Sequence, residues 1–423
     1  MRIAMVTDYY LPTLGGVQTV IKAHKEALEH AGHEVTVFSP LTSPSSDPTV
    51  VELPTARGFA PDGYPFTWTP SAAAATLRTE LKVRDIEVVH VHSEMFAALA
   101  GFRAAKDLGI PIVQTMHGRV DVYTRSVLPV PAVTTVLLAA LHRRQLSHGE
   151  VRIGADTSYT QTRMARRIWR LMVSQANHAD QVIVPSGHFA AKLLAQGVTT
   201  PVTVISNGLE DSVLDAVGDP MPRSVTPGEA LRVMWCGRVS PEKRPDVFVD
   251  AVAEVSGIVA GMFGDGIARA AIAKRVDALP RERLTVHGAV PQSAVLQAMR
   301  DAHVLVSSSL DFDNQPMVLL EAIASGLPVV VTDPDLAETL PEHGCIVTDT
   351  PDAAGVASAL SQLRDSPARI REMSAAAIAH RPLVTQNTHL EALLAVYEAA
   401  ARPGPSGRVR RRSPRGKADR MTR

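Results

Sequence analysis

The sequence predicts two doubly wound, Rossmann-like α/β domains facing each other across a cleft. Short runs rich in β-branched residues alternate with longer helical patterns along most of the chain. Most runs are continuously apolar rather than alternating, the pattern of parallel strands covered on both faces. The alternation then restarts after a polar, Pro/Gly-rich stretch, Asp211–Glu229, so that two sets of five to six strands are read.

Taken in order, the first set comprises Arg2–Asp8, Glu34–Pro40, Glu87–His92, Pro111–His117 and Gln181–Ser186. The second comprises Arg232–Gly237, Ile258–Gly264, Leu284–Gly288, His303–Ser309, Pro328–Asp333 and Cys345–Asp349. Helical segments such as Val20–Ala31 and Met317–Ser325 supply the crossovers. The expected domains are residues 1–195 and 196–385. A last helix, Gln386–Ala401, follows Pro382 and is expected to pack back on the first domain. Ligands of such sheets bind outside the carboxyl ends of the strands, so two facing sheets make an interdomain cleft.

Composition narrows the class. The 423 residues are 45% hydrophobic and 20% charged, which excludes a disordered or fibrous chain. Two cysteines, Cys236 and Cys345, exclude a disulfide scaffold and a multi-cysteine zinc module. The longest apolar run, Val133–Leu141, is far short of the roughly 20 residues of a spanning helix. Met1–Val6 meets Asp8 too soon for a secretory segment, so a cytoplasmic protein is expected, at most peripheral on the inner face of a membrane. Forty-three basic residues balance 43 acidic ones, but residues 402–423 carry a net +8 and leave −8 to the body. That tail is expected to be disordered, serving as a solubilising end, an attraction to anionic lipid or a non-specific RNA contact; no specific nucleic-acid partner is read.

The turn after the first strand, Thr7 to Gly16, lacks the G-x-G-x-x-G spacing of a dinucleotide site, which disfavours an NAD enzyme. Gly15-Gly16 still offers a loop whose amides can meet an anion. His90 and His92 share one face of a strand, and without further ligands at suitable spacing no metal is expected there. His117 ends the fourth strand, where polar groups face the crevice. In the second domain, Gly237-Arg238 and Glu242-Lys243 set two cations beside a glycine turn and a helix start, an arrangement that suits a diphosphate. With those cations present and no Asp-x-Asp read beside a suitable strand end, no metal or other cofactor is expected. A second segment runs from Asp313 through Pro316, Met317 and Val318 to Glu321. Its first-turn amides suit an anion, and its two carboxylates can reach different hydroxyls of one extended ligand, making a sugar nucleotide the natural ligand. Arg163, Arg166, Arg167 and Arg170, interspersed with Ile168 and Trp169, mark a basic amphipathic helix. It lies either on an anionic membrane or on its own domain.

On these residues, with Ser206-Asn207-Gly208, Gly264-Asp265-Gly266 and His287-Gly288, the sequence resembles the retaining glycosyltransferases of GT-B fold, family four, over about residues 1–400. The run Tyr9, Gly15-Gly16 and Gln18 is most similar to the phosphatidylinositol mannosyltransferases, and His117–Tyr123 to diacylglycerol glucosyltransferases. The resemblance implies transfer of a hexose from GDP-mannose or UDP-glucose to a lipid or polyol hydroxyl by same-face substitution, the departing diphosphate taking the acceptor's proton. It implies that Arg238 and Lys243, with Gly16, Gly237 and Gly264 around them, hold the diphosphate. Glu321 then binds the ribose, Val290 lies against the base, and Asp313 with the Met317 and Val318 amides holds the sugar. Tyr9 and Gln18 face the acceptor, and His117 contacts the transferred sugar. Two residues depart from the family pattern: Asp313 stands where Glu is usual, and Pro316 where Gly is frequent. A non-hydrolysing sugar-nucleotide epimerase and a non-catalytic, membrane-surface sugar-nucleotide binder remain open as alternatives.

Overall fold

A computed structural model describes residues 1–402 except 13–14, 56–64, 66, 68–69, 128–129, 227 and 281. All but the first residue of the basic tail lies outside the described residues. The first sheet contains β1 (Arg2–Val6), β2 (Glu34–Ser39), β3 (Val50–Glu52), β4 (Val88–Val91), β5 (Ile112–Thr115), β6 (Gln181–Val184) and β7 (Val202–Val204). The second contains β8 (Leu231–Cys236), β9 (Ile258–Phe263), β10 (Leu284–Gly288), β11 (Val304–Ser307), β12 (Val329–Val331) and β13 (Cys345–Val347). All pairings are parallel, in the order β3-β2-β1-β4-β5-β6-β7 and β10-β9-β8-β11-β12-β13. In both sheets the order reverses beside the first strand, at β1/β4 and β8/β11. These are the switch points where a crevice opens at the carboxyl ends.

Three features differ from the sequence expectation. β3 and β7 are additional edge strands, each three residues long. Because Val202–Val204 pairs with β6, the first domain runs past residue 195. The stretch expected to be a linker begins with a helix, Asp211–Val217, whose Val213 and Val217 are buried in the second domain's apolar cluster.

The chain passes between the domains twice, and the two passages touch. Leu209 N–H donates to Val384 O at 2.8 Å, and Gln386 N–H donates to Leu209 O at 2.9 Å. A Cβ on Gly208 would fall 2.3 Å from the Cα of Gln386 and 2.5 Å from its nitrogen, so no side chain fits. From this crossing the helix Gln386–Ala401 returns to the first domain, where Leu393, Val396 and Tyr397 join the apolar cluster of β1, β2 and the helix Gly16–His30. Val20 of that helix packs in turn among residues of the second domain.

The returning helix covers a buried polar layer. The Tyr397 hydroxyl lies 2.7 Å from His90 Nδ1, and Thr115 Oγ1 lies 2.6 Å from His90 Nε2. The rings of His90 and His92 stand 3.9 Å apart, and that of His24 lies 6.0 and 5.6 Å from them. Asp8, also buried, accepts from the Ser93 hydroxyl and from the amides of Ala97 and Ala98, fixing the start of the helix Phe96–Leu108. No described helix is long and apolar enough to cross a membrane.

Two predictions follow from this packing. Gly208→Ala forces apart the two interdomain passages, and overpacking of this kind costs about 1–3 kcal/mol. Thermal unfolding should show a lowered Tm; an unchanged Tm would mean that the passages separate freely. The second concerns pH. Burial lowers the pKa of His24 to about 4 and that of His117 to about 3, and His90 and His92 are lowered well below the ordinary value. Below the unfolded value of about 6.5 the unfolded chain therefore binds more protons. This contribution is fully present above that pH and is lost as pH falls toward 4. Glu94 acts in the opposite sense, because burial raises its pKa to about 8. The contrast is therefore made between wild type and His24→Leu, whose Tm should decline less between pH 7 and 4.5. Parallel declines would contradict the assignment.

Candidate active site

The groups singled out in the sequence collect at the facing carboxyl ends of the two sheets. On the second-domain side, three strand ends are knitted together by backbone. Gly237 N–H donates to Phe263 O at 3.0 Å, and Gly264 N–H to Gly288 O at 2.8 Å. Gly264 has φ +129°, and a Cβ there would lie 1.9 Å from Gly237 O. This turn therefore requires glycine for both conformation and space. It leaves Arg238 and Lys243 at the mouth of β8, both half-buried.

Lys243 and Asp313 meet directly. The Lys243 ammonium lies 2.6 and 2.7 Å from the two Asp313 carboxylate oxygens. The resemblance assigns these residues to different parts of a donor, whereas here each neutralises the other. Arg238 reaches across the cleft, its guanidinium 5.3 Å from the centroid of the Tyr123 ring. The helix Met317–Ala324 begins beside them, with Pro316 as its N-cap, so the Met317 and Val318 amides lie in its unpaired first turn. Gly16 faces this helix end, since a Cβ on it would come within 4.0 Å of Met317 Cγ.

Further into the second domain, Gln292 Nε2 donates to Glu321 Oε1 at 2.7 Å. Burial raises the Glu321 pKa, an effect Gln292 partly offsets. This bond ties the loop after β10, which carries half-buried Val290, to the helix carrying Glu321.

On the first-domain side, His117 Nε2 lies 3.1 Å from His92 Nδ1, with the two rings stacked. The His117 carbonyl accepts from Asn314 Nδ2 at 3.2 Å, and Gly118 forms an antiparallel bridge with Asp313. His117 is therefore held directly against the Asp313 loop. Tyr9 is half-buried beside the β1 turn, its backbone fixed by Thr7 Oγ1 at 3.1 Å. Gln18, expected to face an acceptor, is instead 3% exposed, and its Oε1 lies 2.7 Å from where a Gly15 Cβ would be.

Several site residues stand outside the candidates named from the sequence. Arg119, 4% exposed, makes a bidentate pair with Asp121 at 2.8 and 2.9 Å and reaches Asp311 at 2.7 Å. Lys192 adds bonds of 2.9 Å to Asp311 and to Asp335. Burial pushes the Asp311 pKa up, but Arg119 and Lys192 more than offset this and hold it below the ordinary value. Asp311 and Asp313 do form an Asp-x-Asp spacing just beyond β11, which corrects the expectation that no such spacing stands at a suitable strand end. Both carboxylates are taken up by cations here. His24, invisible as a partner of His90 and His92 in sequence, is brought to them by the helix Gly16–His30, with ring nitrogens of all three within 4.8 Å. Both nitrogens of His90 are already hydrogen-bonded, so the trio is primarily a structural layer. The helix Arg163–Ala176 spends Ile168, Trp169 and Met172 on its own domain's core, so its apolar face is not available to a membrane.

The comparisons agree with this architecture. The profile of Glycosyltransferase Family 4 matches residues 14–213, and that of Glycosyl transferases group 1 matches residues 230–366. Alpha-monoglucosyldiacylglycerol synthase of Acholeplasma laidlawii is 23% identical over 366 residues, covering 81% of this chain and 83% of its own. GDP-mannose-dependent alpha-mannosyltransferase of Mycobacterium tuberculosis is 27% identical over 346 residues, 79% of each chain. The solved sucrose-phosphate synthase of Thermosynechococcus elongatus shares the fold, with a TM-score of 0.68 at 17% identity over 94% of this chain and 98% of that one. With one profile on each domain and a glycine-cation-carboxylate site at the facing sheet ends, the chain belongs to the family-4 glycosyltransferases of GT-B fold.

Proposed function

We propose that this glycosyltransferase is a retaining hexosyltransferase. Its donor is GDP-mannose or UDP-glucose, and its acceptor is a hydroxyl of a membrane lipid or polyol headgroup. The observation that carries this reading is the meeting of Arg238, Lys243 and the open helix end at Met317 with His117 across the cleft. Cations and amide dipoles fixed there stabilise charge developing on a departing diphosphate. One relative is named for the synthesis of monoglucosyldiacylglycerol and the other for GDP-mannose-dependent mannosyl transfer, which supports this acceptor and donor class.

In the proposed reaction the acceptor oxygen attacks the anomeric carbon on the face that the diphosphate leaves. The leaving phosphate oxygen takes the acceptor's proton. Lys243 exchanges Asp313 for the diphosphate, which frees the Asp313 carboxylate for sugar hydroxyls. His117, with its pKa near 3, stays neutral at physiological pH and is a poor base. It positions the hexose by hydrogen bonding, its Nε2 side being occupied by His92. Glu321 and the Val290 loop hold the nucleoside. The diphosphate charge is met by protein cations without a divalent metal. The protein works at the inner membrane face, where such acceptors present their headgroups.

The test is turnover of both nucleotide sugars with phosphatidylinositol or diacylglycerol vesicles and with soluble polyols, in magnesium and in chelator. Proton NMR of the product should show the donor's anomeric configuration, with similar rates in both media. An inverted anomer would refute the retaining mechanism. Loss of activity in chelator that magnesium restores would refute metal independence. Conversion of the nucleotide sugar with no acceptor present would favour an epimerase.

A further inference from the structure

Outside the cleft, the first domain holds a cavity of about 230 Å³ lined by Ile153, Arg163, Arg166, Arg167 and Arg170. The four arginines lie at helical spacing on the face of the helix Arg163–Ala176 opposite its buried Ile168 and Met172. Two of them are tethered by neutral acceptors. Arg166 Nη1 donates to Thr160 O at 2.9 Å and to Gln161 O at 2.7 Å, and Arg167 Nη1 donates to Thr135 Oγ1 at 2.8 Å. None of the four pairs with a carboxylate among the described residues, whereas Arg78, Arg84 and Arg275 elsewhere each hold one. Four guanidiniums around one small cavity repel each other unless an anion enters. Their planar forks match the oxygens of a phosphate group. The positive end of the helix, which starts at Arg163, adds to the same field. The basic field also reaches His148, where burial and then Arg143 and Arg170 lower the imidazole pKa.

We infer that this cavity is a binding site for a phosphate group, separate from the donor diphosphate site in the cleft. It is smaller than the roughly 300–1,000 Å³ of a drug-sized ligand pocket, so it takes a phosphate or pyrophosphate group and little beyond it. The phosphate belongs either to a phospholipid headgroup or to a soluble phosphate. Val133, Val136 and Leu137 are exposed on the neighbouring helix Pro131–Gln145, which is the reason for testing a membrane source. The inference stands on this cavity alone and does not depend on which sugar is transferred.

Two measurements test it, on wild type, on Arg163→Ala/Arg170→Ala and on Lys243→Ala. Both arginines are exposed, so the double variant should keep the wild-type circular dichroism and Tm. Calorimetric titration with inorganic pyrophosphate should show a binding event that persists in Lys243→Ala and weakens at least tenfold in the double variant. Cosedimentation then compares phosphatidylglycerol with phosphatidylcholine vesicles. A tenfold loss of phosphatidylglycerol binding in the double variant assigns the site to a lipid headgroup. Unchanged vesicle binding with weakened pyrophosphate binding assigns it to a soluble phosphate. Pyrophosphate and vesicle binding both equal to wild type in the double variant would overturn the inference.

Discussion

Gly208 and Gln386 lie in backbone contact, and the relation of the two domains depends on that contact. Each domain connects to the other through both passages, and the passages are hydrogen-bonded to each other at Leu209. The two passages run side by side, joined by a parallel bridge between Leu209 and Thr385. The returning helix then locks the first domain through the Tyr397–His90 hydrogen bond, burying a polar layer in which His90 has both ring nitrogens bonded.

Two kinds of ion pair meet in the cleft, and their burial separates their roles. Arg119 is enclosed, paired bidentately with Asp121 and stacked near Tyr159 and Trp169, at 5.3 and 5.6 Å from their ring centroids. Removing one partner of such a buried pair typically costs about 3–5 kcal/mol, because a charge is left without a partner. Its reach to Asp311 fixes the loop that carries Asp313. The Lys243–Asp313 pair, at 18% and 12% side-chain exposure, lies nearer the opening. A diphosphate carries more charge than one carboxylate and can compete for that lysine. The enclosed Arg119–Asp121 pair is thus linked to the exchangeable Lys243–Asp313 pair through Asp311, which Arg119 also holds and which is itself 41% exposed.

The long central strands were legible because parallel strands buried on both faces must be apolar throughout. The edge strands β3 and β7 were not, because Val50–Glu52 and Val202–Val204 are too short and too exposed to stand out from a loop. The helix at Asp211 was hidden by the Pro and Gly residues that follow it. Of the site, Gly237, Lys243, Asp313 and Glu321 announced themselves by spacing within one domain. Arg119 and Asp311 did not, since they are separated by 192 residues and only the fold brings them together. His24 was likewise silent, because a helix face meets a strand face only after the sheet is built. Gln18 shows the reverse case: its place in a motif pointed outward, while its amide turns back against Gly15.

The most direct test asks whether Lys243 moves from Asp313 to the donor diphosphate. Isothermal titration of GDP and UDP compares wild type with Lys243→Met and Asp313→Asn. Loss of a charge-assisted contact worth about 1.5–3 kcal/mol should weaken the better-bound nucleotide by roughly ten- to a hundredfold in Lys243→Met. Asp313→Asn, which removes the competitor, should bind that nucleotide as well as wild type or better. Wild-type affinity in Lys243→Met would contradict the assignment of the diphosphate to this end of the cleft.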